Sequence, residues 1–143
     1  MEEQTTRYKM GITIELPYET AVERTRAALA DEGFGVLTEI DVRATLRKKL
    51  DVDFRPYIIL GACNPPLAYR ALSAERDIGL LLPCNVIVYA GERSGESVVA
   101  AIDPEVSLSR VGNEALRPLA ADVKARLRRV IDAVSSSSDA QAG

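Results

Sequence analysis

The chain has 143 residues, 47% of them apolar and 27% charged, with a formal charge of −3 and no histidine. That composition belongs to an ordinary folded domain, and a domain of this length hides roughly 65–70% of the surface that its extended chain would expose. The acidic balance speaks against broad binding to nucleic acid, which needs a field of cations, and the missing histidine removes Ser–His and Cys–His catalysis and every histidine-bearing metal site from a single chain.

The opening MEEQTTRYKM is polar and of mixed charge, without the charged-then-apolar pattern of an export signal, and no apolar run approaches the roughly 18 residues of a membrane helix. A cytoplasmic location without membrane attachment is therefore expected. From Tyr8 to Leu16, Met10, Ile12 and Ile14 alternate with Lys9, Gly11 and Thr13, the period of a half-buried strand. Pro17 opens a helix in which Ala21, Val22, Thr25, Ala28 and Leu29 recur at three- and four-residue steps. Gly33 suits the left-handed stop, with Phe34 as the apolar contact behind it.

Phe34, Val36, Thr38 and Ile40 predict a second strand, and Asp41 is placed to cap a short helix over 42–50. The segment Tyr57 to Cys63 is apolar on both faces and reads as a central strand. Asn64-Pro65 signals the start of a short helix carrying Leu67, Ala71 and Leu72. After Gly79, Leu80 to Tyr89 reads as another apolar strand, and Gly91 to Gly95 as a turn into a last strand, Ser97 to Ile102. Asp103-Pro104-Glu105 starts a helical turn that Gly112-Asn113 interrupts, and Leu116, Leu119, Val123, Leu127, Val130, Ile131 and Val134 mark one stripe of a long helix lying across the sheet.

This order predicts an α+β fold: an antiparallel-rich sheet with helices on one face, β-α-β4-α with short extra helices. A single domain over 1–135 is expected, followed by a flexible tail over 136–143, where SSSSDAQAG offers no apolar anchor. The two apolar central strands carry more greasy surface than two helices cover, which predicts a homodimer.

The two cysteines, Cys63 and Cys84, are each followed by asparagine, Asn64 and Asn85. If their strands are antiparallel neighbours, the end of one meets the start of the other, and the four side chains share one rim of the sheet. Asn85 then stands inside an apolar run, where an unpaired amide would cost about 1–3 kcal/mol and so asks for a partner, a turn or a ligand. Three functional expectations follow. The amides hold a small polar ligand with the cysteines as walls; or the thiols carry redox or sulfur-transfer chemistry, Cys63 standing before a helix start; or two thiolates take a soft metal such as copper(I) or zinc. The separation of 21 residues matches no familiar ligand spacing.

The plain alternative is structural: cysteine is a small buried apolar residue, and Asn-Pro is an ordinary cap. A purely structural or interaction module is thus the rival reading, and no cofactor, reaction or dedicated metal site is indicated. Asp41 joins the candidate ligand-binding set of Cys63, Asn64, Cys84 and Asn85, although capping is its ordinary role, and Asp51 and Asp53 read as solvated. Tyr57 and Tyr89 read as packing on the same sheet, Arg55 and Arg70 as solvated flanks. The basic runs Arg43/Arg47/Lys48/Lys49 and Lys124/Arg126/Arg128/Arg129 read as solvated helix faces.

The stretch from Phe54 to Pro65, followed by Gly79 to Val86 with its second Cys-Asn, resembles the family of domain of unknown function 302. Gly33 to Leu37, Ile40-Asp41-Val42 and Asp103-Pro104-Glu105 are similar to that family's other signatures, so the resemblance spans roughly residues 8–133. It implies a β-α-β4-α domain of the TATA-binding-protein-like fold group, commonly homodimeric. It implies no activity and, given the acidic balance, no DNA binding.

Overall fold

The structure, a computed structural model, describes residues 2–3 and 7–142, with side chains described over 7–136. Strand β1 is Glu2–Glu3 and β2 is Lys9–Ile14; helix α1 follows over Tyr18–Asp31. Gly33 closes α1 at φ +84°, and the Phe34 N–H reaches back to the Leu29 carbonyl at 2.9 Å, the left-handed stop that only glycine adopts without strain. Strand β3 is Gly35–Asp41, α2 is Val42–Leu50, β4 is Tyr57–Cys63 and α3 is Pro65–Ala74.

The strand expected over Leu80 to Tyr89 is shorter than its apolar run. Residues Arg76–Leu81 form a 3-10 helix, and β5 begins only at Cys84, running to Ala90. Pro83 has no N–H for a ladder, and the Leu82 N–H is already bonded to the Gly79 carbonyl at 3.3 Å, so the run is broken before the cysteine. Strand β6, Ser97–Ile102, returns as the second arm of the hairpin. Helix α4 (Pro104–Ser109), a 3-10 turn (Glu114–Leu116) and α5 (Arg117–Ala142) complete the chain. The side chains of 137–143, and with them most of the flexible tail expected there, lie outside the described residues.

Among the described residues the strands form one antiparallel sheet in the order β1-β2-β6-β5-β4-β3. Alternation sends Met10, Ile12, Leu60, Val86, Val88, Val99 and Ala101 to one face, where they pack with Leu29 of α1 and Leu127, Val130, Ile131 and Val134 of α5. A smaller second cluster joins Leu67 and Ala71 of α3 to Ile78, Leu116 and Leu119. On the other face Tyr57 stacks on Tyr89, ring centroids 5.1 Å apart, and a shallow groove lined by Tyr57, Asn85, Ile87, Tyr89 and Ala100 receives no helix. Helix α2 buries none of its residues; its last residue, Leu50, and Val52 and Phe54 after it are exposed.

Charged side chains tie the helices down at their ends. Asp103, nearly buried, caps α4 through the Glu105 N–H at 3.0 Å, and Lys124 of α5 reaches both Asp103 and Glu105 at 3.0 Å. These two carboxylates hold the lysine ammonium's pKa above its ordinary value. Arg129 pairs with Glu32 at 2.9 Å, so the basic run of α5 is spent partly on pinning α4 and the end of α1.

Candidate functional site

Cys63 is the last residue of β4 and Asn64 is the N-cap of α3, so one dipeptide carries the chain from sheet to helix. The antiparallel pairing of β4 with β5 sets Ala62 opposite Cys84 and Gly61 opposite Asn85. The end of one strand thus meets the start of the next, and Cys63, Asn64 and Cys84 line one cavity of about 300 Å³. Its other walls come from both core clusters, chiefly Phe34, Ala62, Leu67, Ala71, Leu119 and Val123, so the space lies where those clusters fail to merge. Leu37 and Leu72, both exposed, are apolar at its rim.

Both cysteines are free thiols and half-buried. Burial, and secondarily the neighbouring Cys63, pushes the Cys84 thiol up to about 11, so at neutral pH it is a protonated, small, soft wall. Asn64 is 8% exposed, and its amide is hydrogen-bonded through both oxygen and nitrogen. Its Oδ1 accepts from the Leu67 N–H at 3.4 Å, capping α3, and its Nδ2 donates to the Glu32 carbonyl at 3.4 Å. Arg126, itself held by Asp122 at 2.9 Å, donates to that carbonyl at 3.2 Å. Among the described residues no buried side-chain nitrogen or oxygen lacks a hydrogen-bond partner.

The remaining candidates fall elsewhere. Asn85 does not join the rim: alternation along β5 turns Cys84, Val86 and Val88 toward the helices and Asn85 toward the opposite, uncovered face, where it is exposed beside Tyr57 and Tyr89. The penalty anticipated for a buried amide does not arise there, because water reaches it. Asp41 lies at the far end of β3, opposite Ile58, five positions along β4 from Cys63 and so about 17 Å away at strand spacing. Its carboxylate accepts from the Ala44 N–H at 2.9 Å, the capping role.

Arg47 pairs with Asp51 at 3.5 Å and Asp53 at 3.3 Å, while Arg55 donates to the Ala90 carbonyl at 3.0 Å and to Glu92 at 3.2 Å. Among the described residues no three cysteine, aspartate or glutamate side chains gather in a way that would hold a metal ion.

Two features escaped the linear reading. The cavity walls from α3 and α5 are i,i+4 pairs, Leu67/Ala71 and Leu119/Val123, whose spacing marks a helix face without saying that two such faces stand apart. Gly33 has a second role besides its φ: a Cβ there would stand 3.0 Å from Asn64 Nδ2, so the glycine makes room for the amide that joins α1 to α3.

Helices laid on an antiparallel sheet, with an apolar cavity at the sheet's end, define an α+β protein of the helix-on-sheet class. The family model described as domain of unknown function DUF302 matches residues 10–134, and the chain belongs to that family. It is similar to the crystal structure of an uncharacterized conserved DUF302 protein from Bacillus stearothermophilus, with a TM-score of 0.82 and 30% identity over 90% of this chain and 99% of that one. No curated protein matches the chain. Among the described residues no helix is long and apolar enough to cross a membrane.

Proposed function

We propose that this chain binds a small molecule in the cavity beside Cys63 and Cys84. The observation that carries the reading is the cavity itself: about 300 Å³, open at one side and walled by rigid elements rather than loops alone. That volume is at the lower end of the range for ligand pockets, which are mostly apolar with a few polar groups. The polar ligand expected from the paired amides is disfavoured by the same geometry, since Asn64 is committed to a cap and a carbonyl and Asn85 faces away. Thiol redox or sulfur transfer is the weaker alternative, because Cys84 stays protonated at neutral pH and leaves Cys63 to act alone. A soft metal would have two thiols of one chain and no third cysteine or carboxylate from the described residues.

The test is a thermal-shift screen of small uncharged compounds against the protein and an Ala71→Phe variant whose added ring occupies the cavity. Compounds that raise the Tm of the parent alone support the reading. An identical response from both proteins removes it.

A second reading concerns assembly: we propose a homodimer through the uncovered sheet face. Strands of about six residues, five abreast, span roughly 20 Å by 20 Å. That footprint of roughly 400 Å² is about half of the ~800 Å² per partner of a standard interface, so the contact is a small one. Lys9 is the one formally charged residue lining that groove, and Tyr57, Ile87, Tyr89 and Ala100 are aromatic or apolar, so two copies meet there with a single cation from each to keep apart. Light scattering after size exclusion at micromolar concentration should give twice the chain mass, and Ile87→Arg should give the monomer; a monomeric parent protein contradicts the reading.

A further inference from the structure

Three properties of the cavity bear on its occupant, given the binding reading above, on which this inference rests. The first is size: a cavity of about 150 Å³ accommodates a benzene ring, so about 300 Å³ suits roughly twice that, a bicyclic molecule. The second is charge: no lining residue is charged, and the one lining amide, Asn64, already accepts and donates. A carboxylate or ammonium inside would lose its water and gain no counter-charge. The third is the quality of the wall, in which Phe34 and Cys84, with Cys63 at the strand end, offer polarizable contacts that favour an aromatic ring over a saturated chain.

We infer that the ligand of this cavity is a neutral aromatic molecule of about ten non-hydrogen atoms, entering past Leu37 and Leu72. Cys63 and Cys84 serve as soft walls in this site, and no bond to sulfur is made or broken. The exposed leucines at the rim suit an apolar molecule arriving from water, since no charged side chain lines the cavity to attract a charged one.

The experiment titrates the full chain at pH 7 with three probes, 2-naphthol, 2-naphthoate and 1-octanol, by ligand-observed NMR. 2-Naphthol is expected to bind, 2-naphthoate at least about a hundredfold more weakly because its charge is unpaired inside, and 1-octanol several-fold more weakly. Replacing both cysteines (Cys63→Ala with Cys84→Ala) should cost 2-naphthol roughly threefold to tenfold relative to 1-octanol. Equal binding of 2-naphthol and 2-naphthoate, 1-octanol as tight as 2-naphthol, or no binding by any probe overturns the ligand class, even where screened compounds of another kind still occupy the cavity. Ala68→Phe, with Leu72→Trp at the rim in its place should it not fold, should abolish binding. If 2-naphthol binds a folded blocked variant as tightly as the parent, the cavity reading falls together with the ligand class.

Discussion

The same two letters, Cys-Asn, occur at two places in this chain and have opposite structural roles. At 63–64 the dipeptide straddles the end of a strand and the start of a helix, so the asparagine turns inward, caps α3 and holds the Glu32 carbonyl at the end of α1. At 84–85 it lies within a strand, so the pleat sends the cysteine toward the helices and the asparagine to the uncovered face. A residue's neighbour in sequence therefore says less about its surroundings than its position relative to the end of an element.

That contrast can be broken or sharpened by five measurements. The largest effect is expected at Gly61, the cross-strand partner of Asn85: a Cβ there would overlap Thr38 Oγ1 and stand 2.8 Å from Pro83 Cγ. Gly61→Ala should lose about 3 kcal/mol in urea unfolding, and a loss below about 1 kcal/mol would mean that the β4–β5 junction is looser than the structure shows.

Next comes pH. Folding holds the Cys84 proton to about 11 against an ordinary value of 9.0, so the folded state binds the proton more tightly. The stabilisation is fully present below about pH 9 and is lost as pH rises through 11, in all about 2–3 kcal/mol. Burial also raises Tyr18 and Tyr57, which titrate in the same direction at the alkaline end, so the informative quantity is the parent minus Cys84→Ala. That difference should shrink between pH 9 and 11; a constant difference would show that Cys84 is as accessible in the fold as in the open chain.

Removing the inward amide by Asn64→Ala should cost about 1–2 kcal/mol, measured by thermal or urea unfolding, from the lost cap and the lost bond to the Glu32 carbonyl, which keeps Arg126 as its other donor. Gly33→Ala should add strain to the same junction through its φ and the 3.0 Å approach to Asn64. The smallest effect belongs to the outward amide: Asn85→Ser should stay within about 0.5 kcal/mol in the same assay. If Asn85 proves as costly to replace as Asn64, the contrast between the two pairs is wrong.

Much of the fold was legible in the chain. The alternation of Met10, Ile12 and Ile14, the stop at Gly33-Phe34, the caps Asp41, Asn64 and Asp103, and the hairpin turn before Ser97 all appear in the structure at or within a residue or two of the expected positions. The apolar run over Leu80 to Leu82 is not strand: Ile78 is the buried residue of the 3-10 helix, Leu82 packs partly against the second cluster, and Leu80 is 88% exposed. The site was half legible. Antiparallel pairing of neighbouring strands brings Cys63 and Cys84 to one cavity, and the same period-two alternation that marks the first strand turns Asn85 away from it. The cavity itself left no trace in the sequence, because an apolar stripe looks the same whether it meets its neighbour or leaves a gap.

What the sequence by itself determined is local: strand period, helix caps, left-handed stops and the absence of histidine act within a few residues, through backbone sterics and hydrogen bonds. What only the tertiary structure decided is which face of the sheet the helices cover, and hence that Asn64 is enclosed, Asn85 is wet and two cores stop short of each other around the thiols. Those outcomes depend on how side chains far apart in the chain fill a shared volume, and volume is not additive along a sequence.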